Sequence, residues 1–425
     1  MFDAAVLVAC LVAAPMQAAQ LQTTGPQAPV REVVVEVRVH GNQIVAGDEV
    51  LEIAGVRIGI PFTETLLEEA AKRLKDSGKF ETIEVVKRFA SIEDASRILV
   101  MIIVSEGPVR IVAGGAGGVP QVRKRSFLGN LMFAPVLEGQ DGYGLTYGAR
   151  VAYPHLLGRN SRISFPLTWG GTRRAGVELD RTFSRGPFTR VEVGGGIQRR
   201  HNPAYDEDDD RVYVSARGQR TMGPVRAGVT GGWQRVEFGA LDEEFRSLGG
   251  DITLDTRVDP VLPRNALLVT GSAERILFRT GVPVTKMAVD ARGYIGLFGQ
   301  HVLVLHAVRE DASGPLPPYL RSILGGWTTL RGFETGVASG DTLVAGSIEW
   351  RAPLTSPLRF GKLGVTAFVD WGAAYDHGQT LEANPLRRGA GGSVWFTVAS
   401  FRLSMAVAHG RGAGVRVHFS GGVGF

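Results

Sequence analysis

Residues 414–425 read Gly-Val-Arg-Val-His-Phe-Ser-Gly-Gly-Val-Gly-Phe. Successive side chains of a strand point to opposite faces. Val415, Val417, Phe419, Val423 and Phe425 therefore share one face, and Arg416, His418, Ser420, Gly422 and Gly424 the other. The same alternation recurs upstream. Leu145, Tyr147, Ala149, Val151 and Tyr153 alternate with Gly144, Thr146, Gly148 and Arg150. Val225, Ala227, Val229 and Trp233 alternate with Arg226, Gly228, Thr230 and Gln234, and Ile252 and Leu254 with Asp251, Thr253, Asp255 and Arg257.

A soluble sandwich alternates as well, so the apolar face alone decides little. The polar face decides more: it is Gly, Ser, Thr, Arg, Glu and Asp, strand after strand, with Trp and Tyr often near strand ends, where a membrane interface would hold them. Apolar-out, polar-in segments of about ten residues are the pattern of a transmembrane β-barrel. At about 20 residues per strand and connection, residues 109–425 accommodate about sixteen strands. The expected fold is mainly β: a transmembrane antiparallel barrel of about sixteen strands after one small α+β domain.

Composition agrees. Of 425 residues, 57 are Gly, about twice the usual share, without the period of collagen. The longest apolar stretch, residues 4–16, is too short for a spanning helix. The net charge of +5 comes from mixed signs without Lys/Arg clusters, so no nucleic-acid partner is expected. Residues 1–20 read as a secretory signal peptide and 21–30 as a linker, although no basic residue precedes the apolar run and Asp3 stands there instead. A lipoprotein box, Leu7-Val8-Ala9-Cys10, is the rival for this segment. Cys10 is the single cysteine, so processing would leave no disulfide, Cys–metal site or Cys nucleophile.

Residues 31–108 have another rhythm. Val33–Val39 is β-branched and strand-like, followed by helices over about 47–54 and 63–77. Leu66, Leu67, Ala70, Ala71 and Leu74 recur at helical spacing in the longer helix, and Gly78 is its stop. Strands over Thr82–Phe89 and Arg97–Ser105 follow, the second too apolar for an exposed edge. This β-α-α-β-β order, with Gly41-Asn42, Gly78-Lys79-Phe80 and Val104-Ser105-Glu106-Gly107-Pro108, resembles a POTRA domain. The resemblance implies capture of extended polypeptide along a sheet edge rather than catalysis.

One stretch, about 311–342, interrupts the barrel pattern with no alternation. Structureless connections of that length are uncommon and tend to be functional. Ile323, Leu324, Trp327, Leu330 and Phe333 stand beside Gly325-Gly326, Gly332 and Gly336, a composition suited to close packing inside a lumen. Arg331 in that setting needs an acidic or carbonyl partner, because an unpaired buried charge is costly. By parity Thr366, Phe368, Asp370 and Gly372 face inward, as do Glu349 and Arg351. Asp370 and Glu349 are thus lumen carboxylates, free to pair with Arg331 or with wall arginines such as Arg351 or Arg402.

The chain as a whole, from about Arg31 to Phe425, resembles the BamA/TamA-like outer-membrane superfamily, also called bacterial surface antigens, which joins POTRA domains to a sixteen-stranded barrel. The family's lumen-loop signature Val/Ile-Arg-Gly-Phe/Tyr is matched by Leu330-Arg331-Gly332-Phe333, with Leu at the first place. Its Phe-x-Asp-x-Gly strand is matched by Phe368-Val369-Asp370-Trp371-Gly372, and another recurrent segment by Leu254-Asp255-Thr256-Arg257 followed by Pro263. The resemblance implies an Arg331–Asp370 pair with Glu349 as second partner. It also reads Phe419, Val423 and the terminal Phe425 as an outer-membrane targeting strand. In one respect the chain departs: a single POTRA domain fits, where relatives carry two, three or five.

The implied function is assembly or translocation of polypeptides at the bacterial outer membrane, with the POTRA domain in the periplasm. The implied partners are outer-membrane lipid, unfolded outer-membrane or secreted clients, and periplasmic or lipoprotein accessory factors. The alternatives are a two-partner-secretion-like exporter or passive pore, and a hydrolase on a barrel scaffold. No catalytic residue, cofactor or metal is expected. Gly-x-Ser-x-Gly, His-Glu-x-x-His and P-loop motifs are absent from the sequence, and Gly114–Gly118 precedes no helix. The acidic run Asp206-Glu207-Asp208-Asp209-Asp210 lacks the Gly and distal Glu of a calcium loop and reads as a solvated surface loop.

Overall fold

A computed structural model describes residues 32–42, 45–80, 82–91, 94–105, 109–112, 121–124, 131–158, 160–356, 361–398 and 401–423. The expected signal peptide and linker, Cys10, the Gly114–Gly118 run and Phe425 lie outside these residues, as does the side chain of Val423.

The N-terminal unit runs strand Val33–His40, helices Gly47–Ala54 and Glu64–Asp76, and strands Thr82–Phe89 and Arg97–Ser105. Arg97–Ser105 lies in the middle of the sheet, parallel to the first strand and antiparallel to the second. Its alternate residues Ile98, Val100 and Ile102 pack with Val34 beneath Val50, Ala54, Ala70 and Leu74 of the helices. That central position explains why the strand is apolar almost throughout. The two outer strands differ. Segment Ile60–Phe62 occupies part of the edge of Val33–His40, through Val34 N–H to Ile60 O (3.0 Å) and Phe62 N–H to Glu32 O (2.8 Å). Among the described residues Thr82–Phe89 pairs only with the central strand, so its other edge is open.

Val109–Val112 and Gln121–Lys124 pair as a separate two-stranded sheet, and from Met132–Gln140 to Gly414–Val423 the chain forms a closed antiparallel barrel of sixteen strands. Its surface is inverted relative to a soluble protein. Leu145, Ile197, Val214, Val369, Met405 and Val417 are exposed, and Leu248 is 67% exposed. The inward-facing Thr146, Thr253, Thr366, Asp370, Ser404 and His418 are buried. An apolar surface wrapped around a polar interior suits lipid, and pairing from strand to strand around the barrel satisfies backbone groups that lipid could not. The wall inside is laced with ion pairs, such as Arg190–Asp180 (2.7 Å) and Arg174–Glu178 (2.7 Å). Asp255, at the end of a strand, accepts two bonds from Arg257, from Nε at 2.8 Å and Nη2 at 2.9 Å.

The acidic run is a correction. Only Asp206 lies in a turn; Glu207–Asp210 begin the strand Glu207–Met222. Arg199 binds Asp210 across the ladder and Arg211 binds Asp209, so paired arginines make room for four successive acids in a strand. Local polarity read alone could not show those partners.

Closure of the barrel is uneven. The last strand pairs with its predecessor over the whole of Phe401–Gly410, and the first with its successor over all of Met132–Gln140. Between first and last, the ladder among the described residues is limited to Glu138–Gln140 against Ser420–Gly422. On the outer side of this seam the Phe419 ring lies over Gly139, where a methyl group would meet it.

Candidate functional site: the lumen loop and its seat

The chain between strands Val302–Ala312 and Thr342–Thr355 folds back into the barrel as a hairpin, Ser322–Leu324 paired with Ala338–Gly340, with a single helical turn over Gly326–Thr329 at its tip. Leu324, Leu330 and Phe333 form a buried cluster with Leu343 and Ala345 of the wall. Nearer its stem, Tyr319 packs with Val236, Phe238, Phe245 and Ile276, its hydroxyl on Glu243. Burial and that carboxylate hold the Tyr319 phenol protonated well above the usual tyrosine range.

Arg331 is the centre of the seat and is 5% exposed. Its Nε donates to Asp370 Oδ2 at 2.7 Å and its Nη2 to Asp370 Oδ1 at 2.7 Å, a two-pronged pair. Its own backbone N–H also donates to Asp370 Oδ2, at 3.0 Å. Nη2 lies 2.7 Å from Glu349 Oε1 and donates to Ser347 Oγ at 3.1 Å. The guanidinium carbon stands 3.5 Å from the Phe368 ring centroid, where the ring's negative face adds cation–π attraction. Parity in the strands Thr342–Thr355 and Gly361–Tyr375 places all four wall partners inward.

The wall alternatives also find their places. Glu349 is shared: its Oε2 accepts from Arg351 at 2.7 Å while its Oε1 faces Arg331. Arg402 instead donates to the Val261 carbonyl at 3.2 Å. Beneath the seat is a cavity of about 330 Å³, lined by Trp327, Arg331, Glu349, Arg351 and Arg402, and by Phe89 of the N-terminal unit. The neighbouring Arg88 makes an ion pair with Asp259 of the barrel.

Backbone packing seats the tip as tightly as charge does. Gly332 has φ = 93°, a conformation glycine adopts without strain, and a side chain there would meet the backbone of His409 and Gly410. A methyl group on Gly389 would overlap the Arg331 carbonyl, and one on Gly410 the Gly332 carbonyl. Leu330 and Phe333, on either side of the Arg-Gly pair, are 0% and 4% exposed.

One participant was not visible from motif or composition. His418, 1% exposed on the last strand, accepts the Gly332 N–H through Nε2 at 2.8 Å. Its Nδ1 lies 2.6 Å from Asp141 Oδ2, at the end of the first barrel strand. Parity puts His418 inside; what it meets there depends on chain 277 residues away. Phe419, read as part of a targeting strand, lies on the lipid side over Gly139. Among the described residues no group of three His, Cys, Asp or Glu is placed to hold a metal ion.

Residues 146–425 match the Omp85 superfamily domain. Among solved structures the chain is similar to BamA from Haemophilus ducreyi lacking POTRA domains 1-3, with a TM-score of 0.61 and 14% identity over 92% of this chain and 84% of that one. It is also similar to CdiB from Escherichia coli, with a TM-score of 0.51 and 13% identity over 97% of this chain and 94% of that one. At such identities these likenesses speak for the fold. No curated protein sequence matches the chain.

Proposed function

Because the chain belongs to the Omp85 superfamily of outer-membrane β-barrels, we propose that it assembles polypeptides into the outer membrane by mechanical rather than chemical means. The observation that carries this reading is the seam, where among the described residues a ladder of three residues per strand closes a barrel whose other described joins are longer. Parting so short a ladder exposes two strand edges, and an unpaired edge is a template for an incoming strand. Seam opening therefore lowers the energy of bringing backbone polar groups into lipid.

In this reading the N-terminal unit is a periplasmic POTRA domain. The likeness to the Haemophilus ducreyi protein supports that, since it covers 92% of the chain and so extends beyond the barrel. The open edge of Thr82–Phe89 receives an extended client by β-augmentation, next to residues Arg88 and Phe89 that already touch the barrel. Lumen-loop residues Leu330, Arg331, Gly332 and Phe333, held by Asp370 and Glu349, brace the wall while the seam moves.

The test is reconstitution in liposomes with an unfolded outer-membrane barrel held by a periplasmic chaperone. Protease-resistant folded client should accumulate faster than in empty liposomes. Soluble polypeptide reaching the liposome interior without client folding would overturn assembly in favour of export, and turnover of a lipid or peptide ester would bring back the hydrolase.

A further inference from the structure

The seam ladder stops at Gln140 and Ser420. Just past that point the first strand gives way to a turn that opens at Asp141, and the next inward residue of the last strand is His418. The two side chains meet at 2.6 Å, so the join is prolonged by a side-chain pair where backbone pairing ends. The same imidazole accepts the Gly332 N–H, and Thr335 Oγ1 of the loop donates to the Asp141 carbonyl at 3.1 Å. Arg416 of the last strand adds an ion pair to Glu334 at 2.8 Å. Residues 332–335 of the loop thus straddle both strands of the seam.

We propose that His418 is a positioning residue that ties the seated lumen loop to both strands of the seam, so that a neutral imidazole keeps the seam shut and its removal or protonation lets the seam part. The proposal rests on the assembly reading above only in giving that opening a purpose. Its chemistry follows from the donor inventory of the ring. A neutral imidazole has one N–H and one lone pair. Accepting the Gly332 N–H takes the lone pair of Nε2, which puts the proton on Nδ1, facing the Asp141 carboxylate. Protonation makes both nitrogens donors. The bond to Asp141 survives as an ion pair, whereas Nε2–H then confronts Gly332 N–H, donor against donor, and the loop separates from the seam.

The surrounding charges leave this step to His418. Arg331 is occupied by Asp370 and Glu349, and Glu334 by Arg416. Arg200, from another part of the wall, binds Gln140 at 2.6 Å and lies over the Tyr143 ring. The neighbouring strand presents Ser404, Ala406 and Ala408 on its buried face, without a titratable group. Two acids remain at this end of the seam: Glu138, in the ladder opposite Gly422, and Asp141, which is the one in contact with the ring.

The test is a distance across the seam in the full-length chain in lipid nanodiscs, with Cys10→Ser and spin labels on Leu137→Cys and Val417→Cys, which are 43% and 64% exposed. At neutral pH the distribution should be narrow. His418→Ala removes both bonds, and loss of even one buried hydrogen bond shifts the closed-to-open ratio on the order of tenfold, so this variant should show a long-distance population at every pH. Acidification should raise the same population in the parent protein. His418→Gln should stay narrow and lose the acid response, because an amide both donates and accepts and does not titrate. A His418→Ala protein with parental distances and parental acid response overturns the proposal. So does a His418→Gln protein that keeps the acid response, which holds even if the alanine variant fails to fold. Client assembly is read on the same samples. Distances that move as described without any assembly contradict the functional reading and leave His418 in place, whereas assembly with distances indifferent to His418 removes the latch alone.

Discussion

The seat of the lumen loop and the seam lie in one barrel but are built in opposite ways. At the seat, a 5%-exposed guanidinium is satisfied by two carboxylates, a hydroxyl and an aromatic face, on a floor of glycines that fits the loop backbone. At the seam, two strands that could close the barrel along their length pair, among the described residues, over three residues each. Closure is what normally rids a barrel of its edges. Here the densest polar packing holds a loop in place, while the join that would be simplest to complete is left short. The difference teaches that rigidity and weakness have separate addresses in this molecule, and the contacts that join them include the polar chain Gly332–His418–Asp141, with Thr335 on the Asp141 carbonyl and Glu334 on Arg416 beside it.

The contrast breaks most severely if the floor of the seat is filled. Gly389→Val drives a side chain into the Arg331 carbonyl and should expel the loop, measured as new protease cleavage between residues 322 and 340 in folded barrels. A smaller loss comes from removing one charge. Arg331→Ala or Asp370→Ala strands its partner and should lower unfolding free energy by about 3–5 kcal/mol. In urea titrations the double variant should fall well short of the sum, because the two residues act as one unit. Smaller again is Phe419→Ala, which removes the ring over Gly139: about 1 kcal/mol by partial loss of burial, seen as a rise in the long-distance population across the seam. The smallest effect should be Arg351→Ala. That side chain is about a third exposed and Glu349 keeps Arg331, so at most about 1 kcal/mol is expected. A large effect there would move the centre of the seat from Asp370 to Glu349.

Much of this architecture is legible in sequence because parity is local. Alternation in Val415–Phe419 or Val365–Asp370 states which side chains face lipid, whatever the other strands do. The helix stripe of Leu66, Ala70 and Leu74 is equally local, and the family profile over residues 146–425 agrees with the resemblance read from Leu330–Phe333 and Phe368–Gly372. What the sequence left open is what depends on closure. Composition could not choose between Arg331, Arg351 and Arg402 as partners of the wall carboxylates; the folded loop brings Arg331 to Asp370 and shares Glu349 with Arg351. The short seam ladder is a register between segments at opposite ends of the barrel, and no window of sequence contains it. His418 was visible as inward, but its bonds to Gly332 and Asp141 exist only in the closed barrel.

The most direct measurement of the central claim is client assembly in liposomes by protein carrying Cys10→Ser, Glu138→Cys and Gly422→Cys, a pair that faces across the seam ladder. Oxidised protein, with the seam locked, should fold client no faster than empty liposomes, and reduction should restore the rate. Equal assembly before and after reduction, with the cross-link verified, would contradict the account, because a barrel that works with its seam locked does not work through its seam.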